Sequence, residues 1–252
     1  MDAVVCVPNQ MQMPSGSGSG VLAPHPNLFV KQTKRGCLQE LMGCEAKTEF
    51  QIATMDQKDF NLFYVLEQTS CMNRFVCGGN RPWEMIMSTG GAGGGPLVAK
   101  FVRPFKCPAA TCKPCCHQEV QVKDANGSDL GLVKEQCYYF VPMFDIKRPD
   151  MSVEYRLGPP TCLGGTCVNV CAEGCCNCRI PFYVFPPTGG SDTGSKIGSM
   201  TKIWGGLGTE LFTDADKFEV TFPNDATPDG KLRLLGSLFL LNQIFFEGQK
   251  GA

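Results

Sequence analysis

The last apolar run of the chain, Leu232-Arg233-Leu234-Leu235-Gly236-Ser237-Leu238-Phe239-Leu240-Leu241-Asn242-Gln243-Ile244-Phe245-Phe246, most constrains what it can fold into. Ten of these fifteen residues are Leu, Ile or Phe, and they fall on every side of a helical wheel. A helix apolar all round must be enclosed, by protein or by lipid. At 1.5 Å per residue this one reaches about 22 Å, short of the roughly 30 Å hydrocarbon core of a bilayer. Asn242 and Gln243 side by side, with Arg233 one residue inside the run, make a crossing costlier still. The run therefore reads as the central plug of a β-rich shell, over residues 231–247. A membrane span is the runner-up, and an ordinary core helix at the chain end is also compatible.

The shell is legible upstream. Residues 1–26 carry Pro8, Pro14, Pro24, Pro26 and a Ser-Gly repeat from Ser15 to Gly20, the composition of a flexible tail. Order is expected to begin near Leu28-Phe29-Val30, opening one domain over 27–252. Residues 36–45 read as a turn or short helix. Alternation and turn residues then mark strands at 48–52, 61–66, 83–87, 97–102, 119–123, 130–135, 138–146, 151–157, 179–185 and 217–222. Asn126-Gly127 supplies one tight turn, and Lys147-Arg148-Pro149-Asp150 another. About ten short strands and one long helix give a β-dominated fold. Closing such a sheet removes its edges and creates the inside that the helix fills.

The totals narrow the function. A chain of 252 residues with 43% hydrophobic and 19% charged residues buries a sizeable core. A net charge of −1 argues against binding nucleic acid over a broad basic face. Nothing resembles an enzyme: no Gly-rich phosphate loop or nucleophile elbow is present. The two histidines, His25 and His117, offer no credible pairing with a nucleophile. The sixteen cysteines would make a disulfide framework outside the cell, but the N-terminus lacks the basic and long apolar regions of a secretory signal. This places the chain in the cytosol, where clustered cysteines are acylated, metal-bound or simply reduced.

Three segments could carry chemistry. The first runs from Arg103 to Glu119 and holds Cys112, Cys115 and Cys116, with a C-x2-C spacing between Cys112 and Cys115. Acylation, zinc ligation and an unmodified loop all remain open there. The second packs Cys162, Cys167, Cys171, Cys175, Cys176 and Cys178 into seventeen residues, a zinc or redox cluster on composition. In the third, Asp214, Asp216 and Asp225 take positions 1, 3 and 12 of a calcium-loop spacing, with Phe218, Val220 and Phe222 at positions 5, 7 and 9. Phe218 supplies no side-chain ligand, Glu219 replaces the turn glycine, and the alternation of Phe218, Val220 and Phe222 is that of a strand. A weak calcium site and a polar turn capping a strand weigh equally here.

The stretch Lys202-Ile203-Trp204, followed by Phe212-Thr213-Asp214-Ala215-Asp216-Lys217-Phe218, resembles a signature of the phospholipid scramblase family. Leu41–Glu45, Cys71–Pro82, Arg103–Glu119 and the ending at Glu247 match that family in the same order. The resemblance implies a tubby-like fold, a closed barrel of about twelve strands around a hydrophobic C-terminal helix. It implies calcium-dependent, ATP-independent, bidirectional movement of phospholipids between membrane leaflets, without covalent catalysis. It also implies calcium at the 214–225 segment and palmitate on Cys112, Cys115 and Cys116. The expected setting is the cytoplasmic face of the plasma membrane, with some protein in the cytosol. The partner is then the phospholipid membrane, a homo-oligomer is allowed, and zinc stays open at the second cysteine cluster. The family's denser Cys-Cys-Cys-Pro-Cys-Cys is thinned here to Cys112-Lys113-Pro114-Cys115-Cys116. The alternative is a membrane-tethered tubby-like module that binds lipid or protein without transport.

Overall fold

The structure is a computed structural model that describes residues 18–34, 48–55, 62–69, 81–91, 94–106, 116–138, 141–160, 179–188, 195–203 and 216–247. Twelve strands follow one another: β1 (Asn27–Lys34), β2 (Thr48–Thr54), β3 (Phe63–Glu67), β4 (Trp83–Thr89), β5 (Leu97–Arg103) and β6 (Glu119–Asp124). Then come β7 (Asp129–Glu135), β8 (Phe144–Lys147), β9 (Val153–Gly158), β10 (Arg179–Phe185), β11 (Gly198–Ile203) and β12 (Lys217–Thr221). Each strand pairs antiparallel with the next, and β12 returns to β1 with Val30 opposite Phe218, so the sheet closes into a barrel. No edge is left to recruit another chain.

Period-two alternation makes the wall. Phe50 and Ile52 of β2, Met85 and Met87 of β4, Phe101 of β5, Val120 and Val122 of β6 and Phe182 of β10 point inward and are buried. The helix α1 (Pro228–Leu241), continued by a π-helical turn (Asn242–Glu247), fills the inside. Every residue of α1 from Gly230 onward is buried, as all-round apolarity requires. Phe239 lies at its centre, 4.7 Å from the Phe50 ring and 5.0 Å, edge-on, from Phe101. Gly236 lets the helix approach β5 and β6. A Cβ there would sit 3.1 Å from Val122 and 3.2 Å from Phe101.

Four expectations change. The helix starts at Pro228 rather than 231, because Thr227 caps it and accepts from the Gly230 N–H at 3.1 Å, with proline in the first turn. The barrel has the twelve strands that the family resemblance implies, two more than alternation alone marks, with β1 and β11 added. The 138–146 strand shrinks to β8, beginning at Phe144. Residues 18–26, which composition assigns to a tail, are part of the fold. A short 3-10 helix (Gly18–Leu22) buries Leu22 fully, and the carbonyls of Leu22, Ala23 and His25 accept from the Lys231 ammonium at 3.1, 2.9 and 2.9 Å. The Ser-Gly repeat conceals this, because Val21-Leu22-Ala23 is only a three-residue apolar stretch between it and Pro24. The turn expected at 36–45 lies outside the described residues.

Candidate functional site at one mouth of the barrel

The up-and-down order sorts the connections by end. The β1–β2, β3–β4, β5–β6, β7–β8, β9–β10 and β11–β12 connections all leave from one mouth, where the π-helical turn ends. Together they carry fifteen of the sixteen cysteines, Cys6 being the exception. Both cysteine-rich candidate segments lie in these connections, whereas the calcium-loop spacing begins in the last of them and runs on along β12. Cys112, Cys115, the six cysteines from Cys162 to Cys178 and Asp214 lie outside the described residues. Cys116 is described and is 7% exposed, and Cys137 is exposed.

Charged side chains line the mouth at positions where alternation would place apolar ones. Glu67, at the end of β3, is wholly buried and accepts from Arg81 twice, at 3.0 and 3.1 Å, and from the Thr48 N–H at 3.3 Å. Burial alone would push the Glu67 carboxyl up, but the hydrogen bonds and charge of Arg81 outweigh it and hold it below the usual range. Arg103 ends β5, donates to the Arg81 carbonyl at 2.7 Å and reaches the Gln118 side chain. The Gln118 N–H donates to Glu135 at 2.8 Å. Burial still pushes the Glu135 carboxyl up despite that bond. Half-buried Tyr138 is pushed up to about 12 by burial and by the Glu135 charge. The indole of Trp83 donates to Gln243, so this one of the two amides that argued against a membrane span belongs to the polar layer.

The calcium-loop positions are spread along β12. Asp216 points inward just before the strand and pairs with Lys202 at 3.0 Å, both side chains being largely buried. Lys202 also lies 4.3 Å above the Phe246 ring. Phe218, Val220 and Phe222 turn into the core, and Phe218 packs on Phe246. The β12 backbone is engaged on both edges, by β1 and by β11. Asp225 is exposed in the turn beyond the opposite end of the strand. Six residue steps of extended chain from Asp216 to Phe222 already span roughly 20 Å. Calcium ligands sit 2.3–2.6 Å from the ion, so Asp216 and Asp225 do not share a shell, and the five described positions do not fit one calcium ion.

Sequence reasoning missed the Arg81–Glu67 and Arg103–Gln118 pairs. Arg103 and Glu67 could have been found, because each occupies the inward position of an otherwise apolar alternation. Their partners could not, since Arg81 and Gln118 precede strands and carry no periodic signal.

The Scramblase family model matches residues 7–248. Phospholipid scramblase 2 of Bos taurus is 32% identical over 216 residues, covering 85% of this chain and 66% of that protein. Phospholipid scramblase 1 of Homo sapiens is 30% identical over 210 residues, covering 83% of this chain and 60% of that protein. Phospholipid scramblase family member 5 of Homo sapiens is 25% identical over 210 residues, covering 82% and 69%. The chain spans between 58% and 66% of the length of these phospholipid scramblase 1 and 2 relatives. No solved structure matches it significantly.

Proposed function

The chain belongs to the scramblase family, and from that premise we propose that it moves phospholipids between the two leaflets of a membrane, without covalent catalysis. The observation that carries this reading is the family match over nearly the whole described barrel. The movement proposed is bidirectional and independent of ATP, since a passive route has no direction of its own.

The physical difficulty is the route. Helix α1 and its aromatic partners fill the barrel, leaving no channel for a headgroup through it. The outward positions of the wall include Lys31, Glu84, Lys100, Lys123, Asp145 and Arg156, where a lipid-facing barrel would carry an apolar band. Among the described residues no helix is long and apolar enough to cross a membrane. Headgroups would therefore pass along the outside of the protein, between copies of it or across a bilayer it thins.

Palmitate on Cys112 and Cys115 would hold the cysteine-rich mouth against the cytoplasmic face of the plasma membrane, leaving a cytosolic pool. Two acyl chains are needed, because one anchors only marginally. The Cys116 thiol is buried and would have to be exposed to accept a third. Calcium control belongs to the proposal through the family resemblance; Asp216 and Asp225 do not form its site together. A membrane-tethered module that binds lipid or protein without transport is the second reading, favoured by the filled interior and charged wall.

Reconstitution of the full chain in liposomes carrying a labelled phospholipid in both leaflets separates the readings. Accelerated loss of protection of inner-leaflet label, equal in both directions and raised by calcium, is the expected result. Vesicle binding with no change in lipid accessibility would leave the module reading standing. Equal rates with and without calcium would remove the calcium element alone.

A further inference from the structure

Charge is not spread evenly around the outside of the barrel wall. From β10 through the closing seam to β4, the outward positions carry Arg179, Lys217 and Lys31 against Glu219, Glu49 and Glu84, which balance. From β5 to β9 the outward cations are Lys100, Lys123, Lys134, Lys147 and Arg156. Only three outward carboxylates oppose these five, on Glu119, Asp129 and Asp145. Two of the three are held between cations: Glu119 by Lys106 and Lys134 at 3.1 and 3.9 Å, and Asp145 by Lys147 and Arg156 at 4.0 and 3.4 Å. Asp129 lies across from Lys123 but accepts from the Gly131 N–H at 2.9 Å. That leaves Lys100 and Lys123, directly opposite one another across β5 and β6. Like charges so placed repel, and neither lysine makes an ion pair with a described residue. Between this pair and the Glu119–Lys134 pair, Val102 and Leu132 are half-buried on the same outer face. Phe105, 54% exposed, follows β5 at the cysteine-rich mouth, next to Lys106.

We propose that the β5–β9 wall is the face that the protein lays on an anionic phospholipid leaflet, with lipid phosphate settling between Lys100 and Lys123. The inference rests on the proposed action at a membrane. A phosphate supplies the charge that relieves the repulsion of the two ammonium groups. The lysine stems, Val102 and Leu132 suit the boundary just beneath the headgroups, and Phe105 is an aromatic poised for the same depth. The wall as a whole is too charged for hydrocarbon, so the barrel rests on the headgroups and does not enter the acyl layer. The β5–β6 connection also holds Cys112 and Cys115, so palmitate there would draw this side of the barrel to the bilayer. An acidic protein would answer the lysines but not the exposed aromatic beside that anchor.

The test uses the full chain free of acyl groups. Cosedimentation is measured with vesicles of phosphatidylcholine alone, and of phosphatidylcholine mixed with phosphatidylserine, over a range of salt. Preferential binding to the mixed vesicles, weakening as salt rises, is the expected result. A basic residue at such a surface contributes about five-fold in affinity, so Lys100→Gln with Lys123→Gln should lose about 25-fold. That variant should melt no lower than the wild type, because it removes a repulsion. Lys31→Gln with Lys217→Gln is the matched control, a lysine pair directly opposite one another at the closing seam. Screened from the leaflet, it should bind within about two-fold of the wild type. Equal losses in the two double variants would overturn the proposal, since net charge and not a face would then govern binding. So would equal binding to neutral and anionic vesicles, or none to either, which would leave an acidic protein as the occupant of the wall. The assay does not read lipid movement, so a chain that binds through β5–β9 without scrambling refutes the transport reading and upholds the face.

Discussion

Phe239 tests the whole architecture, because its ring is where the helix and the barrel wall are one core. It is wholly buried, tilted against Phe50 of β2 at 4.7 Å and edge-on at 5.0 Å to Phe101 of β5. Phe239→Ala removes the ring from between two strands that are hydrogen-bonded to their own neighbours and cannot collapse inward. The cavity then stays open, which puts the cost at about 4 kcal/mol, in the range of about 3–5 for buried Phe→Ala. The two ring contacts are part of that figure and add nothing to it. For a domain of this size about 4 kcal/mol lowers Tm by roughly 8–16 °C. Trp83 provides the probe, since it is buried and its indole is bonded to Gln243 of the π-helical turn. Thermal unfolding followed by its fluorescence should show a single cooperative transition at the lowered temperature. The control is Phe105→Ala, 54% exposed and expected to change stability by under about 0.5 kcal/mol. A Phe239→Ala variant melting within about 2 °C of the wild type would refute the enclosed helix.

Arg81→Met should cost about 3–5 kcal/mol by leaving the Glu67 carboxylate buried and unpaired, while Arg81→Met with Glu67→Leu should recover most of it; chemical denaturation of the three proteins measures both. Because the folded state holds the Glu67 carboxyl below its unfolded value, its contribution is complete above about pH 4.3 and is lost as pH falls through the folded pKa. Arg81→Met should therefore flatten the acid limb of the stability-versus-pH curve. Gly131→Ala should destabilise by more than about 2 kcal/mol, seen as a lower Tm, because Gly131 has φ +130° and a Cβ would lie 2.2 Å from the Lys147 carbonyl oxygen and 2.8 Å from Arg233. Lys231→Met removes the one donor shared by three carbonyls of residues 22–25; it should cost about 1–3 kcal/mol and speed proteolysis within 18–26 well before the barrel is cut.

The fold was readable where one physical rule decided the outcome alone. All-round apolarity admits no exposed face, so residues 232–246 had to be enclosed, and clean alternation at 119–123 had to be a wall with one buried side. Reading failed where two rules compete. In β11, Gly198, Ser199 and Thr201 read as a loop, and only Met200 packs inward among the large apolar residues. Pairing with β10 and β12 on both edges makes it a strand, a tertiary effect invisible locally. The calcium spacing failed in the opposite sense. The positions of Asp214, Asp216 and Asp225 suit a loop, but the alternation of Phe218, Val220 and Phe222 suits a strand, and burying three large side chains at roughly 1.5–3 kcal/mol each outweighs a weak ion site.

The same competition shapes what the protein can do with lipid. A barrel that transported headgroups through its centre would need polar inward positions along its whole length. Here the inward polar positions are confined to the ends. Glu67, Arg103, Gln118, Glu135 and Asp216 sit at one mouth, and Arg233 with Glu154, 2.6 Å apart, at the other. Between them the layer from Phe50 through Phe239 to Phe101 is continuous and apolar. Moving a charged headgroup through that layer would mean burying it unpaired, at a cost of several kcal/mol or more. Withdrawing α1 to make room would re-expose its Leu and Phe side chains, at roughly 1.5–3 kcal/mol apiece. Both costs rival the whole stability of a domain, about 5–15 kcal/mol. Under the proposed function, lipid passage would therefore have to use the outer surface, and substitutions that only repack the core should change stability without changing the rate per folded molecule.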